Sequence, residues 1–206
     1  TAPSVGVLAA ECNNNATYST LIDNVQIYAE VTHTGGKVNI GGFLGASRRC
    51  AFIGSSFAGS ISALGNNNWL NVGGFVANLN VDATQFYRCV NYADISVSTT
   101  TGSDVRTAGF VAYSTKRIEY VDCANFGNIR SSGGSRPAAA GFQVHNDGTS
   151  LVLSYGCTNF GDIQSSQYAS GFFSWAKNPI LMVDAVNLGN VSDAVSTNPF
   201  YNDSTE

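Results

Sequence analysis

The chain has 206 residues, of which 44% are hydrophobic and 12% are charged, and its formal net charge at pH 7 is -4. This length fits one domain with a sizeable core, and the hydrophobic share excludes disorder caused by a lack of apolar residues. The negative balance disfavours binding to phosphate backbones, so we expect no nucleic-acid partner. No apolar run approaches the roughly 20 residues that cross a bilayer, so we expect no membrane insertion.

An internal repeat is the strongest signal along the chain. Each unit contains a Gly-Gly-Phe-like motif and, further on, a motif of the form Cys-X-Asn-aromatic-Gly-X-Ile. The aliphatic residues that close the units are Val31, Ile61, Ile95, Ile129, Ile163 and Val191. The repeat divides the chain into units of 28 to 36 residues, at about 5–35, 36–66, 67–100, 101–134, 135–165 and 166–192, followed by a polar tail, 193–206. Repeats at this period indicate a solenoid or a propeller.

Short runs within the units predict strands. Apolar and polar residues alternate, as in 118–121 and 180–183, and Gly, Asn and Ser lie between the runs. This is typical of about three short strands per unit, and no window shows a helical period. A propeller blade needs about 40 residues. The pattern therefore favours an all-β chain that folds as a single right-handed parallel β-solenoid of about six repeats over 1–206.

The sequence is compatible with one coil per unit or more. With one coil per unit, equivalent side chains stack about 4.8 Å apart. The first predicted internal aromatic ladder is Phe43, Phe75, Phe110, Phe142 and Phe172. A second is Tyr28, Tyr92, Phe126, Phe160 and Leu188. An amide ladder comprises Asn91, Asn125, Asn159 and Asn187, and turn glycines with positive φ are expected at Gly59, Gly127, Gly161 and Gly189.

Five cysteines are present, so at least one has no disulfide partner within the chain. Cys89, Cys123 and Cys157 fall in one column, where stacked reduced thiols are favoured over a disulfide between neighbouring coils. Cys12 and Cys50 occupy similar regions of the first two units, and a disulfide between them is a further hypothesis.

The two motifs resemble a known family. Gly73-Gly74-Phe75-Val76 followed by Asn125-Phe126-Gly127-Asn128-Ile129 and its equivalents is similar to the GLUG-type repeat of surface adhesins and other secreted proteins. The resemblance covers units two to six. It implies a secreted β-solenoid with structural or adhesive work at the cell surface, and it supplies no catalytic residues.

Metal and cofactor chemistry finds little support in the sequence. His33 and His145 share no short spacing with Cys or carboxylates, so both are expected in surface loops. Asp122 and Asp184 share a column that calcium could occupy, but the chain lacks dense Asp clusters. We therefore expect no metal and no cofactor.

Carboxylates at Asp94 and Asp162 share an outward column with Glu30, Ser60, Asn128 and Asn190. Two interpretations remain for this column. The carboxylates could be the acid pair of a polysaccharide-cleaving β-helix, or they could belong to a solvated polar column that keeps the sheet soluble. The solvated column is favoured, because few long loops are present to build the walls of a groove, and we expect no enzyme.

Glycan binding has two sets of candidate residues. Aromatic side chains that could stack on sugars are Trp69, Trp175, Tyr113 and Tyr168. Core positions are the alternative for such residues, and Trp69 in a polar loop is the best candidate for an exposed one. A basic set at equivalent positions of two units, Arg48, Arg49, Lys116 and Arg117, is either a patch for acidic glycans or an ordinary exposed corner.

Three functions follow, in order of preference. The first is an extracellular structural protein whose copies stack head-to-tail into filaments, because a solenoid has two open ends and no capping helix is evident. The second is a cell-surface adhesin or glycan-binding module that uses Trp69 and the basic corner. The third is a polysaccharide-processing enzyme. Glycosylation sequons at Asn15, Asn190 and Asn202 apply to a secreted eukaryotic chain.

Overall fold

The computed structural model describes residues 2–12, 19–66, 69–80, 83–100, 104–147, 150–177, 179–192, 195–198 and 200. All regular structure in these ranges is β-strand, and no helix there could span a membrane. Neighbouring strands pair in parallel throughout, for example Val76–Leu79 with Val111–Ser114 and Ile118–Val121 with Val152–Tyr155. The predicted all-β parallel solenoid is confirmed.

The coils present four faces, and each face is one parallel sheet of seven, five, six or ten strands. Sheet A contains β1 (Ser4–Gly6), β5 (Val38–Gly41), β9 (Leu70–Gly73), β14 (Asp104–Ala108), β19 (Arg136–Ala140), β24 (Tyr168–Ser170) and β28 (Ser196–Asn198). Sheet B contains β2 (Ala9–Cys12), β6 (Leu44–Ser47), β10 (Val76–Leu79), β15 (Val111–Ser114) and β20 (Gln143–Asn146).

Sheets C and D complete each coil. Sheet C contains β3 (Thr20–Asp23), β7 (Cys50–Ile53), β11 (Thr84–Tyr87), β16 (Ile118–Val121), β21 (Val152–Tyr155) and β25 (Ile180–Val183). Sheet D contains β4 (Gln26–Gly35), β8 (Ser56–Gly65), β12 (Val90–Asn91), β13 (Asp94–Thr99), β17 (Ala124–Asn125), β18 (Ile129–Gly133), β22 (Thr158–Asn159), β23 (Ile163–Ser165), β26 (Val186–Asn187) and β27 (Val191–Ser192).

Strand register shows that one repeat unit makes one coil. The closing aliphatic residues pair directly with one another from coil to coil, as in Ile61 with Ile95, Ile95 with Ile129 and Ile129 with Ile163. Each of the first five coils contributes four or five strands rather than the three expected, because the chain turns four corners per coil.

Four complete inner turns, β5 to β23, lie between two outer units. The last unit has no strand in sheet B, where only isolated bridges join Gln143 to Phe173 and Asn146 to Ala176. The repeat count therefore differs slightly from the predicted six. In the segment predicted as a polar tail, β28 extends sheet A, and the ring of Phe200 lies 5.9 Å from that of Phe172.

The core is built around two stacked aromatic ladders that contact each other edge to face. The ladder from Phe43 to Phe172 has ring centroids 4.7 to 4.9 Å apart, as the coil spacing predicts. The second comprises Phe52, Phe86 and Tyr120 on sheet C, with centroids 4.9 and 5.2 Å apart. The rings of this second ladder are fully buried, and the sequence analysis did not identify it.

The aromatic ladder predicted from Tyr28 to Leu188 is wrong as an internal feature. Tyr28 is 78% exposed and Leu188 is 65% exposed, while the rings of Phe126 and Phe160 stack at 4.4 Å on the outer surface. Each of these residues follows the amide-ladder position of its coil, and adjacent side chains in an extended chain point to opposite sides. Because the Asn side chains point inward, the aromatic side chains point outward.

The amide ladder forms inside the solenoid. Asn91 Nδ2 donates to Asn125 Oδ1, Asn125 Nδ2 to Asn159 Oδ1 and Asn159 Nδ2 to Asn187 Oδ1, each at 2.8 Å. Every Nδ2 of the ladder also donates to a backbone carbonyl two residues further along its own chain, at 2.9 to 3.2 Å. The ladder thereby satisfies buried turn carbonyls that have no sheet partner.

The glycines beside the amide ladder do not all have the expected conformation. Gly59 alone has a positive φ, of 106°. At Gly127 and Gly161 an added Cβ would lie within about 2 Å of a carbonyl oxygen of the preceding coil. Glycine is therefore required at those two positions by the close approach of stacked backbones rather than by left-handed geometry.

Left-handed geometry occurs instead at the corner between sheets C and D. The residues there are Asn24, Gly54, Arg88, Asp122, Gly156 and Asp184, with φ between 52° and 61°. Asp122 and Asp184, considered above as calcium ligands, are thus corner residues, and Asn, Asp and Gly tolerate this conformation best.

The five cysteines are free thiols. Cys89, Cys123 and Cys157 form a buried column, and each Sγ donates to the carbonyl two residues before it, at 3.3 to 3.4 Å. The Cys12–Cys50 disulfide is absent: Cys12 Sγ lies 3.1 Å from Thr20 Oγ1 and Cys50 Sγ lies 2.9 Å from Ser47 Oγ. Burial raises the pKa of Cys50 to about 12, which suppresses the thiolate that disulfide chemistry requires.

Candidate functional site

A cleft runs along the solenoid where the outer faces of sheets A and B meet. The turn between these two sheets points its Phe side chain into the core. A Cβ on the glycine before Phe75, Phe110 or Phe142 would lie 2.4 to 2.6 Å from an Oδ1 of the amide ladder. The tight glycine corner brings the outward side chains of the two sheets toward each other, and Ser4 Oγ of sheet A donates to Glu11 Oε1 of sheet B at 3.2 Å.

Two cavities, of about 370 and 320 Å³, make up this A–B cleft. The first, called the lower cavity, is lined by Ala2, Ser4, Glu11, Asn39, Ala46, Ser47, Arg48, Trp69, Asn78 and Asn80. The second, called the upper cavity, is lined by Trp69, Asn71, Asn78, Asn80, Arg106, Tyr113, His145 and Asp147. Because the cavities share Trp69, Asn78 and Asn80, they form one continuous groove across several coils.

A polar ladder forms the sheet A wall of the cleft. Arg106 Nη1 donates to Asn71 Oδ1 at 3.2 Å, and Asn71 Nδ2 donates to Asn39 Oδ1 at 3.0 Å. These residues are register neighbours on successive coils. Each amide is therefore held in a fixed orientation by the next coil.

Arg106 is fixed by an acidic partner and by aromatic rings. Its Nη2 lies 2.9 Å from Asp104 Oδ2, and Asp104 also binds Arg136 through two bonds of 2.8 and 3.0 Å. The guanidinium carbon lies 5.0 Å from the Tyr113 ring centroid, across the cleft. Burial lowers the pKa of Arg106, and the Asp104 carboxylate opposes that shift.

Trp175 closes the upper end of the cleft. It packs with Ala108, Ala138, Ala140 and Val144 in a small apolar cluster that is separate from the main core. The Arg106 and Arg136 guanidinium carbons lie 5.4 and 4.6 Å from its ring centroid. These contacts leave Trp175 only 5% exposed.

His145 is buried in the cleft wall, whereas the sequence analysis expected a surface loop. Its ring stacks on Trp175 at 4.6 Å and meets the edge of Tyr113 at 5.2 Å, and the residue is 4% exposed. Burial, together with the positive charge of Arg106, lowers the pKa of His145 to about 3. The imidazole is therefore neutral at pH 7, with one nitrogen that donates and one that accepts.

Several buried polar atoms of the upper cavity have no hydrogen-bond partner in the described part of the chain. They are Asn78 Oδ1, Arg106 Nε and both ring nitrogens of His145. The nearest acidic oxygen to His145 Nε2 is Asp147 Oδ1 at 3.9 Å, which is too long for a hydrogen bond. Unsatisfied buried polar groups are costly, and three residues that carry them line one cavity. These atoms have almost no accessible surface, so the polar groups that a ligand could contact in this cavity belong to less buried residues such as Asn80, Arg106 and Tyr113.

The structure brings the four candidate aromatics to this cleft, but Trp175 is buried in its wall, so it follows the core alternative rather than the sugar-stacking one. Trp69 and Tyr113 line it, and Trp175 and Tyr168 stack with centroids 6.1 Å apart at its upper end. Of the basic set, Arg48 lines the lower cavity, whereas Arg117 lies 3.9 Å from Glu119 of sheet C.

The sequence analysis missed the wall residues Asn39, Asn71 and Arg106. A signal for them was present, because each is a polar residue shortly before the Gly-Phe corner of its coil, in a strand whose other residues, apart from Asp104, are apolar, Gly or Thr. The walls are the two sheets themselves, so the scarcity of long loops did not exclude a groove.

Other candidate residues lie elsewhere. Asp94 and Asp162 form an exposed polar ladder with Asn128 and Asn190 at a corner of sheet D, with bonds of 2.8 to 3.1 Å. They are not brought together as an isolated carboxylate pair, since Asn128 lies between them in the ladder. His33 lies on β4, and its Nε2 is 3.4 Å from the Gly36 carbonyl oxygen.

Of the three sequons, Asn190 is exposed and its Nδ2 donates to Asp162 at 3.0 Å. Asn15 and Asn202 lie outside the described residues.

No group of three or more His, Cys, Asp or Glu side chains is arranged to hold a metal ion within the described ranges. No family model, no curated protein and no solved structure matches this chain. The resemblance to the GLUG-type repeat stays a prediction.

Proposed function

We propose that this chain is a cell-surface glycan-binding module and that an extended glycan chain lies in the A–B cleft. The observation that carries the proposal is the composition of the cleft. It combines the aromatic rings of Trp69 and Tyr113 with the amides of Asn78 and Asn80 in one groove.

Aromatic and amide groups in a groove match the chemistry of a sugar. The axial C–H groups of a pyranose make an apolar face that packs on a flat ring, and its hydroxyls both donate and accept hydrogen bonds. The side chains of Asn80, Arg106 and Tyr113, which are exposed or partly exposed, offer such bonds in the upper cavity. Small-molecule sites generally combine apolar or aromatic lining with a few fixed polar groups.

The repeat of the solenoid also suits a polymer. Adjacent coils are spaced by about 4.8 Å, which is close to the advance of one sugar in an extended chain. Sugars in successive positions would then meet equivalent side chains of successive coils, such as Ala46, Asn78 and Tyr113 on sheet B. The two cavities together are long enough for several sugars rather than one.

A glycan array followed by calorimetry tests the proposal. The wild-type chain should retain at least one polysaccharide, and Trp69→Ala should weaken that binding by about tenfold or more, the equivalent of about 1.4 kcal/mol. The matched control is Tyr92→Ala, which removes a half-exposed aromatic ring from sheet D, outside the cleft. A wild-type chain that binds no glycan, or equal losses in the two variants, would overturn the proposal.

Head-to-tail assembly is a second candidate, favoured by a separate observation. The partly buried residues that pack on the main core all belong to the first and last units. They are Ala9, Cys12, Val25, Ile27, Ala29 and Val31 at one end, and Ile180, Met182, Ala185 and Val191 at the other. A second copy stacked on either end would cover this apolar surface and pair the strand edges.

Electron microscopy of the concentrated protein tests this second candidate. Filaments with a regular axial repeat are expected, and Val31→Arg should abolish them by placing a charge on the inward face of β4. Thr32→Arg, on the exposed face of the same strand, is the control and should leave them intact. A monodisperse monomer at high concentration contradicts assembly and leaves the glycan proposal untouched.

A further inference from the structure

We infer that the glycan of the A–B cleft is acidic and carries carboxylates, as a polyuronate does. This inference rests on the proposed function and names its ligand class. Three features of the cleft support it: the distribution of charge, the geometry of Arg106 and the position of Lys37 over Trp69.

Charge is segregated toward the cleft although the whole chain is acidic. Five of the ten basic residues line it or border it: Lys37, Arg48, Arg106, Arg136 and Lys177. Among the ten acidic residues of the described ranges, only Glu11, Asp104 and Asp147 do so. With His145 neutral, the described residues of the cleft carry a surplus of two positive charges, five basic against three acidic, on a chain of net charge -4. Such a local field attracts anions to the groove.

The acidic side chains near the upper cavity already have cationic partners. Asp104 binds both Arg106 and Arg136, and Asp147 accepts a hydrogen bond of 3.1 Å from Lys177. That bond lowers the pKa of Asp147. These carboxylates therefore offer little repulsion to an anionic ligand, since each is neutralised locally.

Arg106 presents a guanidinium to the upper cavity with more N–H groups than its described partners use. Of its five N–H groups, Nη1 donates to Asn71 Oδ1 and Nη2 to Asp104 Oδ2, and Nε is buried. The side chain is 12% exposed and is held in place by Tyr113 and Trp175. A fixed guanidinium edge of this kind suits a carboxylate, for which Arg is the preferred partner.

A second cationic region lies at the lower cavity. Lys37 Nζ lies 4.4 Å from the ring centroid of Trp69, and Arg48 lines the same cavity as that ring. A sugar packed on Trp69 would therefore have an ammonium group close to its substituents. Cationic groups at both cavities would contact carboxylates repeated along a polymer, whereas a neutral glycan would offer no opposite charge to either of them.

The test compares each acidic polymer with its own neutral form. Calorimetry is run with polygalacturonate, alginate and hyaluronate, and with the methyl ester of each, which keeps the sugar and removes the charge. At least one acid form should bind about tenfold to a hundredfold more tightly than its ester, the range expected for one charge-assisted hydrogen bond. That preference should shrink when salt is raised from about 0.05 to about 0.5 M.

Two variants locate the carboxylate sites. Arg48→Gln is expected to reduce the preference for the acid form over the ester, and Arg106→Gln is expected to reduce it further. Arg130→Gln, on the outer face of sheet D, should leave that preference unchanged. Circular dichroism confirms the fold of each variant. If Arg106→Gln does not fold, the comparison of Arg48→Gln with Arg130→Gln decides the question.

The outcomes separate the two proposals. Equal binding of acids and esters, or binding confined to neutral or sulfated glycans, would overturn the carboxylate inference and leave a glycan-binding cleft. No binding to any glycan would overturn the proposed function itself. Loss of the acid preference in Arg130→Gln as well would show that net charge, not the cleft, selects the ligand.

Discussion

The interior columns and the A–B cleft are both built by stacking equivalent residues of successive coils, yet they differ in how strictly the residue type repeats. The amide ladder from Asn91 to Asn187 keeps one residue type over four coils. The sheet A column of the cleft reads Ser4, Asn39, Asn71, Arg106, Ala138 and Tyr168 over six coils.

Stacking explains why the amide ladder keeps one residue type, but it does not explain why the residue type varies along the cleft column. An Asn side chain inside the solenoid bonds to the Asn above and the Asn below, so each position restricts its neighbours. In the cleft column, bonds run from Arg106 to Asn71 and from Asn71 to Asn39, yet the residue type changes at four of the five steps between coils. The comparison indicates that repeated residues maintain the fold and that the varied residues of the cleft serve recognition.

Removing one ring from the interior ladder should have the largest effect. Phe110 stacks between Phe75 and Phe142 at 4.7 and 4.9 Å, so Phe110→Ala should lower the free energy of unfolding by about 3 to 5 kcal/mol. Phe126→Ala removes a stacked ring from the outer surface, where 43% exposure predicts a loss below about 1 kcal/mol. Urea denaturation of both variants measures the difference, and equal losses would contradict the comparison.

Interrupting the amide ladder should come next. Asn125→Ala removes the partners of one Asn91 N–H, of Asn159 Oδ1 and of the Gly127 carbonyl, all of them buried, which should cost about 2 to 4 kcal/mol. Asn187→Ala, at the last described position of the ladder, removes the partners of one Asn159 N–H and of the partly buried Gly189 carbonyl and should cost about 1 to 2 kcal/mol. A larger loss at Asn187 than at Asn125, again by urea denaturation, would show that the ladder does not act as a chain.

Acid should weaken the fold through the cleft rather than through the core. His145 has a pKa of about 3 in the folded chain against 6.5 as its ordinary value, so below pH 6.5 the unfolded chain binds a proton that the folded chain does not. Between pH 7 and 5 this contributes a loss of about 2 kcal/mol. The groups that act on the imidazole are Arg106, Asp147, Lys177 and Arg136.

Thermal unfolding at several pH values measures this loss. His145→Gln should flatten the decline between pH 7 and 5, while His33→Gln, the matched change at the other histidine, should keep it. A decline that persists in His145→Gln would assign the acid sensitivity to other groups.

The exposed ladder at the corner of sheet D should matter least. Asp162 accepts two bonds from Asn190, at 2.9 and 3.0 Å, in full contact with solvent. Asp162→Asn should therefore change the free energy of unfolding by no more than about 0.5 kcal/mol. A loss of several kcal/mol in denaturation would show that outer ladders support the fold as strongly as the Asn91 ladder does.

Much of the fold could be predicted from the chain alone. Two columns could be recognised in the sequence: the aliphatic one that includes Ile95 and Ile129, and the aromatic one that includes Phe75 and Phe110. A parallel coil places such equivalent residues directly above one another. The ladder of Phe52, Phe86 and Tyr120 could not be recognised, because the aromatic residue is replaced by Ser154 in the next coil. Phe173 instead approaches Tyr120, at 6.2 Å, from another corner.

The candidate site was predictable only in part. Trp69, Tyr113 and Trp175 were identified as sugar-stacking residues, but nothing in their spacing placed them in one groove. Arg106 was not predicted, because a single basic residue in a strand can be an exposed surface residue, an ion-pair partner or a ligand contact, and its residue type does not distinguish these.

The sequence by itself determined the period, the strand content and the residue columns of this protein, because stacking in register forces a repeat on every side chain that contacts its own equivalent. Only the tertiary structure decided which side of each strand faces inward and how the four sheets meet. The inward Asn ladder turned Tyr92 and Phe126 toward solvent, and the glycine corner between sheets A and B folded two flat faces into a cleft. The inward face of each strand and the arrangement of the sheets depend on packing between residues far apart in the chain, so no local sequence pattern predicts them.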